Sequence, residues 1–175
     1  MTNNNDLTAR SIKALILTLV LTALDQITKI WAVRTLADGP LVLIDGVFEL
    51  RYLENHGAAF GILQNARVFF IVLTVAFLIF MCYLFVRIPS GSYMLPIRVL
   101  IPVVTAGAIG NFIDRLMFGY VRDFLYFSLI NFPIFNVADI YVTCSVFVLA
   151  YLILIYYKEE DLEFFGQKGN AGHGK

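Results

Sequence analysis

Long apolar runs, broken at intervals by short polar segments, dominate this chain. Val68 to Val86 contains nineteen residues and no charge, close to the roughly 20 residues a helix needs to cross a bilayer. Another run starts near Met94 and reaches Met117, uncharged from Val99 to Ile113. A third begins near Asn136 and is uncharged from Ile140 to Tyr157. The run from about Ile12 to Leu36 is equally long but carries Asp25 and Lys29 within it. The pattern predicts four membrane-spanning helices, at about 12–36, 68–86, 94–117 and 136–157. Four crossings put both termini on one side and the loops Leu36–Arg67 and Phe118–Phe135 on the other. The first run does not read as a cleavable signal peptide, because no small-residue cleavage site precedes the polar DQITK segment.

The polar segments have patterns of their own. Asp38-Gly39-Pro40 and Asp45-Gly46 are turn signals, and Leu41–Ile44 and Val47–Glu54 between and after them read as short strands. Phe48, Leu50 and Tyr52 alternate with Glu49, Arg51 and Leu53, which fits a small sheet lying apolar face down on the membrane surface. This surface β region covers about 38–61. Its last part, Asn55 to Gly61, reads NHGAAFG, either a run of small residues where backbone approaches a ligand closely or a plain flexible loop. The expected fold is an integral membrane all-α protein with four transmembrane helices and a small extracytoplasmic β-sheet after the first helix. Residues 1–158 form one membrane domain, and 159–175 a solvated cytoplasmic tail.

Composition agrees with a bilayer as solvent. The 175 residues are 59% hydrophobic and 15% charged, where a soluble domain carries about 25%. Thirteen basic residues balance thirteen acidic ones, which gives no reason to expect a nucleic-acid partner. Two cysteines inside apolar runs and two histidines without ligand-spaced neighbours exclude most metal and thiol chemistry. The termini side holds seven Lys/Arg and the loop side six, a bias towards cytoplasmic termini.

Against this background the embedded charges stand out, since an ionised side chain near the bilayer centre costs about 2.5–3.5 kcal/mol. Asp25, Asp114, Asp123 and Asp139 all fall near the loop-side ends of spans. Asp25 and Lys29, four apart, read as an internal ion pair rather than as direct catalysts, with Lys29 also able to snorkel to a headgroup. Asn111, Asp114 and Arg115 lie at i, i+3 and i+4 on one helical face, with Asp114 held ionised and Arg115 free to hold a carbonyl or phosphate oxygen. Asp123 lies beyond Gly119 among aromatic residues, and in an extended segment Arg122 points to the opposite face. Asp139 has apolar neighbours, and Asn136 is placed to cap the fourth helix. Two carboxyls meeting in low-dielectric surroundings share one proton. That arrangement serves an aspartic-protease dyad, a proton or cation site in a small transporter, or neither, if Gly107 and Gly110 merely allow close helix packing.

Five blocks occur in order: DQITK at Asp25–Lys29, NHGAAFG at Asn55–Gly61, GAIGNFIDR at Gly107–Arg115, VRDF at Val121–Phe124 and FNVAD at Phe135–Asp139. In that order on a four-span chain they resemble bacterial lipoprotein signal peptidase, or signal peptidase II. The resemblance implies a monomeric, multi-pass aspartic endopeptidase of the bacterial inner membrane, with cytoplasmic termini and an active site near the outer face. It implies cleavage of diacylglyceryl-modified prolipoproteins just before the lipidated cysteine, in contact with membrane phospholipid and without metal or other cofactor. The family's catalytic aspartates map onto Asp123 and Asp139. Asn55, Gly57, Asn111, Arg115 and Asn136 fall where the family positions substrate and organises its site. Asp25, Lys29 and Asp114 match motif positions with a structural role. One residue departs from the pattern: Arg122 stands where many relatives are expected to carry an apolar residue such as valine. It is expected either to contact headgroups or to fold back and shift the pKa of Asp123.

Overall fold

A computed structural model describes residues 4–57 and 66–162 of the chain. Four helices in it are long and apolar enough to cross a membrane. They are α1 (Asn4–Thr35), α2 (Arg67–Arg87), α3 (Leu95–Met117) and α4 (Val137–Tyr151), and α4 runs on through a π-helical turn at Leu152–Tyr156. A short α5 (Glu159–Leu162) follows. The first span begins eight residues before the expected Ile12. Backbone hydrogen bonding does not require apolar side chains, so the helix continues past the apolar run. Arg10 ties this extension down, donating to the carbonyls of Ile88 and Val86 at the end of α2.

Among the described residues, three antiparallel strands join the helices, β1 (Leu41–Ile44), β2 (Phe48–Asn55) and β3 (Val121–Tyr126), in the order β1-β2-β3. The first two match the alternation in the sequence to within a residue. The third was not expected as part of the sheet. It comes from the other loop, and its pairing sets Asn55 opposite Val121 and Leu53 opposite Asp123. That alignment is non-local, so no pattern within either segment encodes it.

Helix packing uses polar groups and small residues, because lipid and leucine are equally apolar and supply no hydrophobic drive between helices. Thr18, Thr22 and Gln26, spaced one turn apart on α1, donate to the carbonyls of Pro102, Ala106 and Gly110 on α3. The separation stays at 84 residues along the series, so the two helices run parallel. A Cβ on Gly107 would lie 2.5 Å from the Ala138 carbonyl, and one on Gly110 would collide with the Asp25 carboxylate. These two glycines let α3 approach α4 and α1.

Apolar cores occupy both ends. Met81, Ile88, Met94, Ile97, Ile101, Leu152 and Tyr157 pack near the termini, and Ala32, Leu36, Leu50 and Phe124 pack beneath the sheet. Large apolar side chains such as Val68, Phe147 and Leu154 face outward, as a lipid solvent permits. The buried charged residues Asp25, Lys29, Asp114, Arg122 and Asp123 lie between these layers at the sheet end, and buried Arg10 lies at the other.

Candidate active site

Two neighbouring polar clusters occupy the sheet end of the helices. The first contains Asp25, Lys29, Asp114 and Arg122, whose exposures run from 0 to 6%. Lys29 Nζ lies 2.9 Å from Asp25 and 3.4 Å from Asp114. Arg122 gives Asp114 a backbone N–H at 2.9 Å and two guanidinium bonds, at 2.6 and 3.2 Å. Gln26 bridges the set, donating to Asp25 and Asp114 and accepting from Arg122. Asp25 also accepts the Ala138 N–H in the first turn of α4, where a helix presents its unpaired donors. Two acids and two bases therefore cancel in a space that water does not reach.

The second cluster holds Asp123 and Asp139. Asp123 comes from β3 and is 1% exposed. Asp139 sits in the first turn of α4, where it and Asn136 form a reciprocal capping box, each side chain accepting the other's backbone N–H at 3.0 Å. Phe135 pairs with Leu125 on β3, and this brings Asn136 beside Asp123. Asn136 Nδ2 donates to Asp123 Oδ1 at 2.6 Å and to Asn111 Oδ1 at 3.1 Å. Asn111 Nδ2 donates in turn to Asp139 Oδ1 at 2.7 Å. Asn55, at the end of β2, donates to Asp123 Oδ2 at 2.8 Å. Each of the four carboxylate oxygens thus receives one donor.

Both aspartates line one cavity of about 510 Å³. Asn55, Gly57, Asn111 and Arg115 also line it, and Phe132, Ile134, Ile140 and Cys144 make its wall largely apolar. Burial, and next the Asp139 carboxylate, push the pKa of Asp123 up to about 7, against the lowering effect of the Asn55 and Asn136 hydrogen bonds and of Lys29. Asp123 therefore holds a proton near neutrality that an exposed aspartate would have lost.

The residues expected to organise the site lie around this cavity or behind it. Asn55, Gly57, Asn111 and Arg115 line it with the two aspartates, and Asn136 bonds Asp123 directly. Asn55 Oδ1 accepts the Gly57 N–H, and Arg115 reaches the Gly57 carbonyl at 3.4 Å. Residues 58–61 of the small-residue block and 163–175 of the tail lie outside the described residues. Asp25, Lys29 and Asp114 form the first cluster.

Three side-chain expectations need correction. Lys29 does not snorkel: it is fully buried, and besides its two acids it donates to Asn111 Oδ1 at 2.9 Å. Asn111, Asp114 and Arg115 do not act in one direction. About 100° per residue separates Asp114 from Arg115, so Asn111 turns to Asp139, Asp114 to Arg122, and Arg115 to Gly57 and the Phe70 ring. Arg122 contacts no headgroup and does not fold back onto Asp123, because the strand's alternation points it into the first cluster. Gln26 was missed altogether. Its signal is the four-residue period of Thr18, Thr22 and Gln26, the first two set within the apolar stretch Ala14–Leu24.

Comparison with known proteins extends these observations. The family described as signal peptidase (SPase) II matches residues 17–155. A lipoprotein signal peptidase of Caldicellulosiruptor bescii is 39% identical over 145 residues, 83% of this chain and 91% of the relative. One from Streptococcus thermophilus is 44% identical over 144 residues, 82% of this chain and 91% of the relative. Two solved structures of a bacterial membrane enzyme, obtained by the in meso method, superpose with TM-scores of 0.72. They are 30% and 31% identical to this chain, cover 84% and 83% of it, and are themselves covered to 92% and 94%.

Proposed function

The chain belongs to the signal peptidase II family of aspartic-type membrane peptidases, and from that membership we propose that it cleaves signal peptides from diacylglyceryl-modified prolipoproteins, with Asp123 and Asp139 as its catalytic pair. Cleavage falls immediately before the lipidated cysteine. The observation that carries this reading is the convergence on one cavity of two carboxyls from separate elements, Asp123 buried and Asp139 half-buried. Asn55, Asn111, Asn136 and the Asn136 backbone hold all four of their oxygens.

With one proton between them, the pair carries an acid and a base built from identical groups. The ionised carboxylate takes a proton from a water as its oxygen attacks the scissile carbonyl. The protonated partner gives its proton to the carbonyl oxygen, producing a neutral gem-diol. Collapse of the diol breaks the C–N bond. The amine leaves with the proton first taken from water, and a diol hydroxyl proton returns to the pair. No acyl-enzyme forms. The neutral first cluster behind the pair leaves no net charge to pin the shared proton. The apolar wall of Phe132, Ile134, Ile140 and Cys144 suits acyl chains, and Asn55, Gly57 and Arg115 suit the peptide backbone. Both aspartates lie at the end of the helices opposite the termini, so cytoplasmic termini put cleavage at the outer face, within one domain spanning 1–158.

The direct test incubates the purified protein with a diacylglyceryl-modified prolipoprotein and reads the cut by mass spectrometry. Asp123→Asn and Asp139→Asn should each abolish the product while the protein remains folded. A transporter would instead give ion flux in liposomes and an uncut precursor.

A further inference from the structure

A second cavity, of about 460 Å³, lies at the opposite end of the helix bundle, between the start of α1, the end of α2 and the start of α3. Arg10, Lys13 and Arg98 line it, with Asp6 the one acid among the lining residues. Nothing in the peptidase reaction uses these residues. Ser90 and Ser92 add hydroxyls, and Leu17, Phe85 and Val99 extend the lining with apolar surface.

The polar atoms here are unusual in what they lack. Among the described residues, five buried side-chain nitrogen or oxygen atoms have no hydrogen-bond partner. Three of them, Arg10 Nε, Ser90 Oγ and Arg98 Nε, belong to residues lining this one cavity. All three are donors, and buried donors in folded proteins are otherwise nearly always paired. Arg10 is itself 9% exposed, and its terminal nitrogens are already engaged by the Ile88 and Val86 carbonyls. A group that fills this cavity meets three basic side chains against one acid, and so must bring acceptors and negative charge.

We propose that this cavity binds the phosphodiester headgroup of an anionic phospholipid. The phosphodiester supplies several acceptor oxygens and one negative charge, which matches the guanidinium and ammonium donors of a net positive lining. The cavity's position at the ends of three spans sets it at headgroup depth, and basic pockets between membrane helices are suited to such headgroups. Its apolar residues continue into the membrane, where a lipid's chains lie and a free phosphate has none. Lys13 is exposed and its flexible stem lets it close over the phosphate from the rim.

The experiment is native mass spectrometry of the full chain in detergent, titrated separately with phosphatidylglycerol, with phosphatidylcholine of the same acyl chains, and with inorganic phosphate. One phosphatidylglycerol per protein should be retained, at least about tenfold more strongly than phosphatidylcholine. Inorganic phosphate at equal concentration should not displace it. A Lys13→Gln/Arg98→Gln variant should lose that retention about tenfold, and Lys13→Gln alone about threefold. Arg51→Gln, an exposed change on the distant sheet, should leave retention unchanged. Equal retention of the two lipids, or full retention in Lys13→Gln and the double variant, would overturn the proposal. Displacement by phosphate would overturn it in favour of a free-anion site.

Discussion

Lys29 on α1 donates across 2.9 Å to Asn111 Oδ1 on α3, and this turns the Asn111 amide so that its nitrogen faces Asp139. The same Asn111 oxygen accepts from Asn136, which donates also to Asp123. One amide thereby links a neutral ion cluster to both carboxyls of the proposed catalytic pair, and its orientation is set by a lysine that contacts neither carboxyl directly.

Removing that link should affect chemistry more than folding. Asn111→Leu keeps similar bulk but deletes the amide, and kcat on a lipidated precursor is expected to fall roughly 100-fold with a smaller change in KM. Lys29→Met differs in kind, because it leaves two buried acids with one buried base. Its expected cost is about 3–5 kcal/mol of stability, read as a lower thermal midpoint in detergent. If Asn111→Leu turned over like the parent protein, Asn111 would be a packing residue only.

Arg122 supplies the second positive charge of the buried cluster. Arg122→Val should destabilise the protein by about 3–5 kcal/mol, since Asp114 loses its two guanidinium bonds. Adding Asp114→Asn should recover part of that loss, so the double variant should be more stable than the two single changes summed. Turnover below the melting transition should stay within a few-fold of the parent, because Arg122 faces away from the cavity. Thermal melts of all four proteins complete the cycle. Simple additivity would mean that the pair does not interact.

Protonation of Asp123 sets a pH dependence. Burial and the neighbouring carboxylate raise its pKa from 3.8 to about 7, so between these values the folded state binds more protons than the unfolded one. Its stabilising effect is full below pH 3.8 and is lost as pH rises through about 7. Asp123→Asn should flatten that part of the stability profile. The proposed mechanism needs the shared proton, so the cleavage rate should fall on the alkaline side of about pH 7. Asn55→Ala removes a hydrogen bond that favours the ionised form, and should move this limb to higher pH. A limb that stays in place would separate Asp123 from the titration.

Close helix packing is a further dependence of the site. Gly107→Val places a Cβ against the Ala138 carbonyl and Val142, and should cost about 1–3 kcal/mol by forcing α3 from α4. Because Asp139 follows Ala138 in the same turn, cleavage should decline along with the melting temperature. Gly91→Ala, with nothing within 4 Å of its added Cβ, is the control and should change neither.

The four spans, the first two strands and the Asn136 cap were legible in the chain, because each depends on neighbours within a turn or a strand. Apolar runs declare membrane helices since lipid leaves the backbone few other ways to pair its polar groups. The motif blocks single out Asp123 and Asp139 together, though their spacing alone leaves a protease, a transporter and a scaffold open. What sequence could not supply was direction. Arg122, Lys29 and Arg115 each had several partners within reach, and only the parallel packing of α1 on α3 and the pairing of β2 with β3 selected among them. Those contacts join residues tens of positions apart, and a buried charge takes whichever partner the packed backbone brings to it.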